Sequence, residues 1–529
     1  MPVADAEVEV LIVGGGPVGL TARALLERWG VRTLLIEKHV ELSPFPRSRL
    51  INVRSMEIFR QLGLAAEIQA RAFAPRYGRI RFRDTLQGSD FATAGMVGVE
   101  APIPESPVIG VVTSQDRLEP TLLAAADSEL RFGVELVGLT EAADSVMAVL
   151  ADRRTGNQAR VRARYVLAAD GANSTVRRLL DIGTTGPGAL AAVTTVVFDA
   201  DLRRWSADQP AGVYLTAHGT FLPLYPEGGW AWFGPTPEDR AHTDWSALVT
   251  HALGPHSDVK PEVLRVQHWV MNAAVAEHFQ HGRILLAGDA AHAIPIMGGL
   301  GMNTGLADVH NLCWKLAGIL QGWAGPTLLE TYDSERHPVA QRTLHQAVAN
   351  TQLSLQVQTN RRTQLQNTTS PPTPLELPWT DRYFAQLGLV LGVTYTSRAI
   401  LTAPESAPTS PNPDGAAEQP ATDAAAEQPG TDYLPIPEPG HRLPHLWLTP
   451  THSTLDTLGE WFTLLTPDPT HWNHHPLPAW PLHVEPLTPT QATTLSLHSH
   501  EALLVRPDGH ITARYPARPL DFRFRRIVR

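Results

Sequence analysis

Val8 to Val13 is apolar except for Glu9 and stops at GGGPVG, residues 14–19. A short apolar run closed by glycines predicts a strand buried on both faces. The pattern turns helical from about Pro17 to Trp29, and a second apolar strand, Thr33 to Ile36, ends at Glu37. The same strand, turn and helix sequence recurs twice. Tyr165 to Ala169 leads into Asp170–Gly171, and Ile284 to Ala287 leads into Gly288–Asp289, a glycine-rich turn and a helix from about Asn303. Alternating strands and helices of this kind predict an α/β layer with a parallel sheet. Residues 190–275 differ. TTVVFDADL (194–202), GVYLTAHGTFLPLYP (212–226) and GWAWFGPTP (229–237) are aromatic, β-branched and broken by Gly and Pro, which predicts a separate inserted sheet. Residues 303–360 return to helix, and HNLCWKLAGILQGW carries apolar spacing near 3.6.

The chain therefore divides into a nucleotide-binding part at 1–185, a β-sheet insert at 186–277, a second nucleotide-binding and helical part at 278–402, a linker at 403–440 and a C-terminal domain at 441–529. The linker holds nine prolines and seven acids, no Lys or Arg, and AAEQP twice. Such a stretch buries too little apolar surface to order itself, so an extended or disordered coil is expected. The C-terminal domain shows strand patterns in WFTLLTP (461–467) and HEALLVRPDGHITARYP (500–516), the latter with a Pro507–Asp508–Gly509 hairpin turn.

Composition narrows the function. At 529 residues the chain is too long for one core. A net charge of −10 without a basic stripe argues against nucleic acid as the partner. No apolar run reaches membrane-spanning length, and the N-terminus shows no signal peptide, so a cytoplasmic protein is expected. The single cysteine, Cys313, excludes an internal disulfide and lies in a buried-helix pattern. HWNHH (471–475) resembles a metal-binding tract, but flanking prolines and the lack of nearby acids or cysteine favour a surface loop; no metal is expected.

The glycines carry the chemistry. Gly14, Gly16 and Gly19 have dinucleotide-fold spacing: the first for the turn, the second for close approach of a pyrophosphate, the third for helix-on-strand packing. Pro17 and Val18 open the helix, and Glu37, 18 residues past Gly19, is placed for a ribose 2′-hydroxyl, with Lys38 beside it. An acid there disfavours a 2′-phosphate, leaving FAD or NAD as the held dinucleotide. Gly298, Gly299 and Gly301 let backbone amides approach a flat polar ring edge, and the following helix points its positive end at it. Asp289, at a strand's C-terminal end, suits a polyol hydroxyl. His292 reads as a packing and capping residue ahead of a catalytic base. Tyr214, Tyr225, Trp230 and Trp232 alternate in the inserted sheet, where they either stack on an aromatic ligand or pack in the core.

GGGPVG, RSMEIFRQLG (54–63), Gln115, AADGANSTVR (168–177) and GDAAHAIPIMGGLGMN (288–303), in this order, resemble the FAD-dependent aromatic hydroxylases of the para-hydroxybenzoate hydroxylase fold. LPHLWLTPTHSTLD (443–456) and LLVRPDGHITAR (503–514) are similar to the thioredoxin-like tail of the actinobacterial natural-product subset; this tail lacks CxxC. The resemblance implies a mixed fold, α/β and α+β. A Rossmann-type FAD-binding domain carries an inserted substrate sheet and a thioredoxin-like C-terminal domain. It implies non-covalent FAD, with NADPH or NADH as a transient reductant. It also implies hydroxylation of a polyketide-like polycyclic phenol by dioxygen through a flavin hydroperoxide. By the same resemblance Arg47 contacts the cofactor, Gln115 lies near the ribityl chain, and Asp170 and Gly171 touch FAD and NAD(P)H. Asp289 takes the ribityl or phosphate end, and Pro295 and Gly298 to Asn303, with Met302 among them, line the isoalloxazine. Leu300 departs from the glutamine or phenylalanine common there and offers no hydrogen bond. Baeyer–Villiger insertion, epoxidation, oxidative rearrangement and shielding of a reactive intermediate on the same scaffold stay open at this point. The C-terminal domain is the candidate contact for a homodimer.

Overall fold

The structure, a computed structural model, describes residues 4–255, 257–366, 387–401, 433–473 and 480–517. The central part of the expected linker, and His474 and His475 of HWNHH, lie outside the described residues. The chain forms two compact units, one of residues 1–322 and 332–385, the other of residues 323–331 and 386–529.

The first unit begins β1 (Ala6–Val13), α1 (Pro17–Arg28), β2 (Thr33–Glu37), β3 (Leu50–Ile51), β4 (Arg79–Arg83), β5 (Asp90–Gly95) and β6 (Val111–Val112). It continues through α2 (Gln115–Ala124), β7 (Glu129–Phe132), β8 (Gln158–Ala168), α3 (Thr175–Leu179), β9 (Thr184–Asp199) and β10 (Val213–Thr216). Next come β11 (Gly219–Tyr225), β12 (Gly228–Pro235), α4 (Trp245–Leu253), β13 (Glu262–Ala276), β14 (Ile284–Leu286) and α5 (Gly301–Leu320). A long helix, α6 (Glu330–Gln366), follows.

β14, β8, β1, β2 and β7 lie side by side, all parallel. Val10, Leu11 and Ile12 are fully buried at the centre, which is why they read as an unbroken apolar run. The three strand ends followed by glycine turns (β1, β8 and β14) are therefore neighbours. α5 crosses the layer almost wholly buried, Cys313 and Trp314 included. Its buried Lys315 donates to Glu335 Oε2 of α6 at 2.9 Å and to Asn311 Oδ1 at 2.8 Å. Burial without such partners would be prohibitive for an ammonium.

The second sheet is the expected insert, but larger. Its order is β13-β9-β12-β11-β10-β4-β5, so β4 and β5 come from outside residues 186–277. β9 also reaches back to Thr184 through a Gly-Pro-Gly stretch that lacks strand propensity. Register pairing with β13 along its length, with bulges near Thr185 and Ala189, holds it extended. One face packs Tyr214, Phe221, Trp230 and Trp232 against α4; the other turns Val197, Leu222, Leu224 and Ala231, with Tyr225, the opposite way.

The C-terminal unit contains β15 (Phe462–Thr466), α7 (Pro469–Asn473), β16 (Leu482–Pro486), β17 (Ala502–Val505) and β18 (Ile511–Tyr515). The sheet runs β16-β15-β17-β18, parallel in its first pair and antiparallel afterwards. Gly509, at φ 79°, makes the turn that the Pro-Asp-Gly pattern predicts.

Candidate functional site

The first glycine turn sits at the C-terminal end of β1. Gly14 adopts φ 108°, and a Cβ there would stand 2.3 Å from the Ala169 carbonyl oxygen. A Cβ on Gly19 would lie 2.0 Å from Gly14 O, so α1 rests directly on the turn. A Cβ on Gly16 would meet no protein atom within 4 Å. That open space faces the start of α1, where Pro17 is buried, Val18 half-buried, and no side chain caps the helix. Uncapped first-turn N–H groups beside open space form an anion cradle. Glu37 closes one side: the Gly15 N–H donates to its Oε2 at 2.7 Å and the His39 N–H to its Oε1 at 2.8 Å. Lys38 is exposed beside it.

The second turn, after β14, lies alongside. Gly298 and Gly299 adopt φ 107° and 64°, a region that disfavours side chains. Asn303 fastens the loop: its Nδ2 donates to Leu50 O at 2.9 Å and Gly299 O at 2.6 Å, and its Oδ1 accepts from Asn52 N at 3.0 Å. The helix starts at Gly301, two residues earlier than the sequence suggests. It has neither a side-chain cap nor an acid in its first turn. Pro295 and Leu300 are buried, Met302 is half-buried, and Asp289 is exposed.

Behind the loop lies a network that sequence reasoning missed. Asp308 Oδ2 accepts from Gly288 N at 3.0 Å and meets His292 Nε2 at 2.6 Å; its Oδ1 accepts from Arg336 Nε at 2.8 Å. Burial alone would raise this carboxyl, but the His292 and Arg336 charges outweigh it and hold the pKa at about 2. His292 is thus an anchor of the Gly288 turn, in line with its reading as a packing residue. Arg177 ties in the third motif by donating to Ala290 O at 2.7 Å. Asp170 caps α3, accepting from Thr175 N at 2.7 Å and Ser174 Oγ at 2.5 Å, and Gly171 adopts φ 84°.

Gln115 is buried at the first turn of α2 and donates to Glu119 Oε1 at 2.7 Å. Burial pushes the Glu119 carboxyl up to about 7, against the Gln115 bond and the Arg47 charge. Arg47 is exposed, whereas Arg49 is buried over the Phe73 ring at 5.6 Å and none of its side-chain nitrogens finds a protein acceptor. Burial lowers the Arg49 pKa to about 10, opposed by Asp116 and Tyr225. The Tyr225 hydroxyl donates to Asp116 Oδ2 at 2.6 Å. Phe73 also lines an apolar cavity of about 310 Å³, with Pro75, Val99, Val111 and Val112.

The aromatic platform needs correction. Tyr214, Trp230 and Trp232 are buried in the core against α4, the Tyr214 hydroxyl donating to Gln209 O and the Trp232 indole to His218 O, each at 2.9 Å. Alternation along a strand separates two faces but does not say which one a helix covers. Only Tyr225 of the four lies on the other face. Arg49, Asp116, Asp308 and Arg336 had no local signal, since each acts through partners distant in sequence.

Adjacent glycine turns at the ends of parallel strands, beside a second and mostly antiparallel sheet, fit a dinucleotide-binding protein. Comparison with known proteins narrows this. Residues 7–347 match the FAD binding domain family, and residues 436–527 match the aromatic-ring hydroxylase C-terminal family. A putative polyketide hydroxylase of Streptomyces coelicolor is 39% identical over 64% of this chain and 56% of its own length. Aklavinone 12-hydroxylase RdmE of Streptomyces purpurascens is 34% identical over 87% of this chain and 84% of its own. The crystal structure of the flavin-dependent monooxygenase PieE, in complex with FAD and substrate, superposes with a TM-score of 0.83 at 32% identity, covering 97% of both chains. The chain belongs to the FAD-dependent aromatic-ring hydroxylases. Its residues fit that cofactor: open space above Gly16, two uncapped helix starts, and no side chain at Gly298 and Gly299.

Proposed function

We propose that this protein is an FAD-dependent monooxygenase that uses NADPH or NADH and dioxygen to hydroxylate a polycyclic phenol of polyketide type. The observation that carries the reading is the uncapped start of α5 behind the Gly298–Gly299 turn, next to the dinucleotide cradle of β1 and α1. When bound, FAD supplies reductive activation of dioxygen.

The chain's own residues do the rest. Gly14, Gly16 and Gly19 admit the pyrophosphate to the α1 N–H groups. Glu37 retains acceptor capacity for a ribose hydroxyl beyond its two backbone bonds. By the family resemblance, Gln115 and Asp289 would hold the ribityl chain, Arg47 would contact the cofactor, and Asp170 and Gly171 would meet the nucleotide. The uncapped Gly301, Met302 and Asn303 amides would hold the polar edge of the flavin ring and would stabilise negative charge on it. Pro295 and Leu300 are apolar at that place and help to exclude water. Tyr225, held by Asp116, is the one aromatic of the sheet kept as a substrate contact.

The test is reduction of the purified yellow protein by NADPH, with and without a panel of polycyclic phenols. Substrate-stimulated oxidation of NADPH, with one atom of labelled dioxygen entering the product ring, is the expected outcome. Reduction indifferent to every phenol would overturn the hydroxylase reading in favour of a shielding role. Labelled oxygen inserted into a ring C–C bond would assign Baeyer–Villiger chemistry instead.

A further inference from the structure

We propose that Asp468, His471 and His500, all in the C-terminal unit, form a binding site for a borderline divalent metal ion, zinc foremost. The reading of HWNHH as lacking a nearby acid needs correction, because Asp468 stands three residues before His471; the fold adds a second imidazole, His500, from a distant loop. One donor atom from each of the three side chains lies within 4.8 Å of the others. Tetrahedral zinc with bonds of about 2.0–2.1 Å separates its ligands by roughly 3.4 Å, so small side-chain rotations close the site.

The backbone already holds the ligands in place. Asp468 follows β15, and its Oδ1 accepts from His471 N at 3.1 Å and from Thr470 Oγ1 at 2.7 Å. This orients the carboxylate so that Oδ2 meets His500 Nδ1 at 3.2 Å. The His471 and His500 ring centroids are 5.4 Å apart. The two loops are neighbours because β15 pairs with β17, with Leu465 opposite Leu503, and Thr466 Oγ1 donates to Glu501 O at 3.0 Å. The sheet thus sets the spacing before any ion arrives. Two imidazole nitrogens and one carboxylate oxygen select zinc, nickel or copper over magnesium or calcium. Asp468 and His471 are half-buried and His500 is exposed, so an ion could enter and keep a water ligand. The ion would staple the β15–α7 corner to the loop before β17 and stabilise this unit by mass action.

The test is titration calorimetry of the full-length, FAD-loaded protein with zinc chloride and with magnesium chloride, alongside visible spectra of the cobalt-loaded protein. The expected result is saturable binding of a single zinc ion, no matching response to magnesium, and tetrahedral cobalt bands. His500→Ala and Asp468→Asn should each weaken zinc roughly tenfold or more. Asp468→Asn keeps the helix cap, and an unchanged flavin spectrum and circular dichroism certify each fold. A His474→Ala/His475→Ala variant, altered outside the described residues, should bind zinc as the wild type does. The proposal fails if the wild type binds no zinc stoichiometrically. It also fails if His500→Ala and Asp468→Asn bind as well as wild type, or if only the His474→Ala/His475→Ala variant loses binding.

Discussion

Asp308 shows how much one residue can organise. It is fully buried, yet serves Gly288, His292 and Arg336 together. Removing one partner of a buried ionic group is far costlier than never having had it, because the remaining charges stay unpaired. Asp308→Ala should therefore cost about 3–5 kcal/mol, read as a lower urea midpoint for the nucleotide-binding unit. Loss of only a few tenths would mean that Arg336 finds another acceptor. The acid dependence follows from its depressed pKa. The folded carboxyl titrates at about 2, against an ordinary 3.8. Its contribution is complete above the ordinary value and is lost as pH falls through about 2, so part of the wild type's acid destabilisation should vanish in Asp308→Asn.

The β1–turn–α1 element makes opposite demands on two of its glycines. At Gly19 an added methyl would collide with backbone 2.0 Å away, and neither the strand nor the helix can yield. At Gly16 it would enter empty space, and the backbone there, at φ −76°, suits any residue. Gly19→Ala should yield poorly folded protein without flavin. Gly16→Ala should keep the circular dichroism and melting temperature of the FAD-free wild type, yet retain much less FAD through gel filtration. Full flavin retention by Gly16→Ala would show that the pyrophosphate does not approach there. These glycines could be assigned from the sequence because a turn's demands are local. The same holds for the Pro507–Asp508–Gly509 hairpin. The sheet insert was less legible: β4 and β5 join it from more than a hundred residues upstream of β10, and β9 is extended by its partner and not by its own composition.

At the scale of the whole molecule, all three glycine-turn motifs lie in the first unit. Calorimetry of the full chain should resolve two transitions, and FAD should raise the one that belongs to that unit, by about 2.7 kcal/mol at a hundredfold excess over its dissociation constant. An equal rise in both would make the units one cooperative body. No helix among the described residues is long and apolar enough to cross a membrane. The sequence alone determined the α/β layer, its nucleotide turns, the dinucleotide cradle and the tail's hairpin, since each rests on periodicity and turn chemistry within about thirty residues. Only the tertiary structure decided which face of the inserted sheet is core, removing Tyr214, Trp230 and Trp232 from the site and leaving Tyr225 against Asp116. It alone brought Arg336 to Asp308 and His500 to Asp468. Side chains far apart in the chain meet where strand pairing and helix packing place them, and no local pattern encodes that meeting.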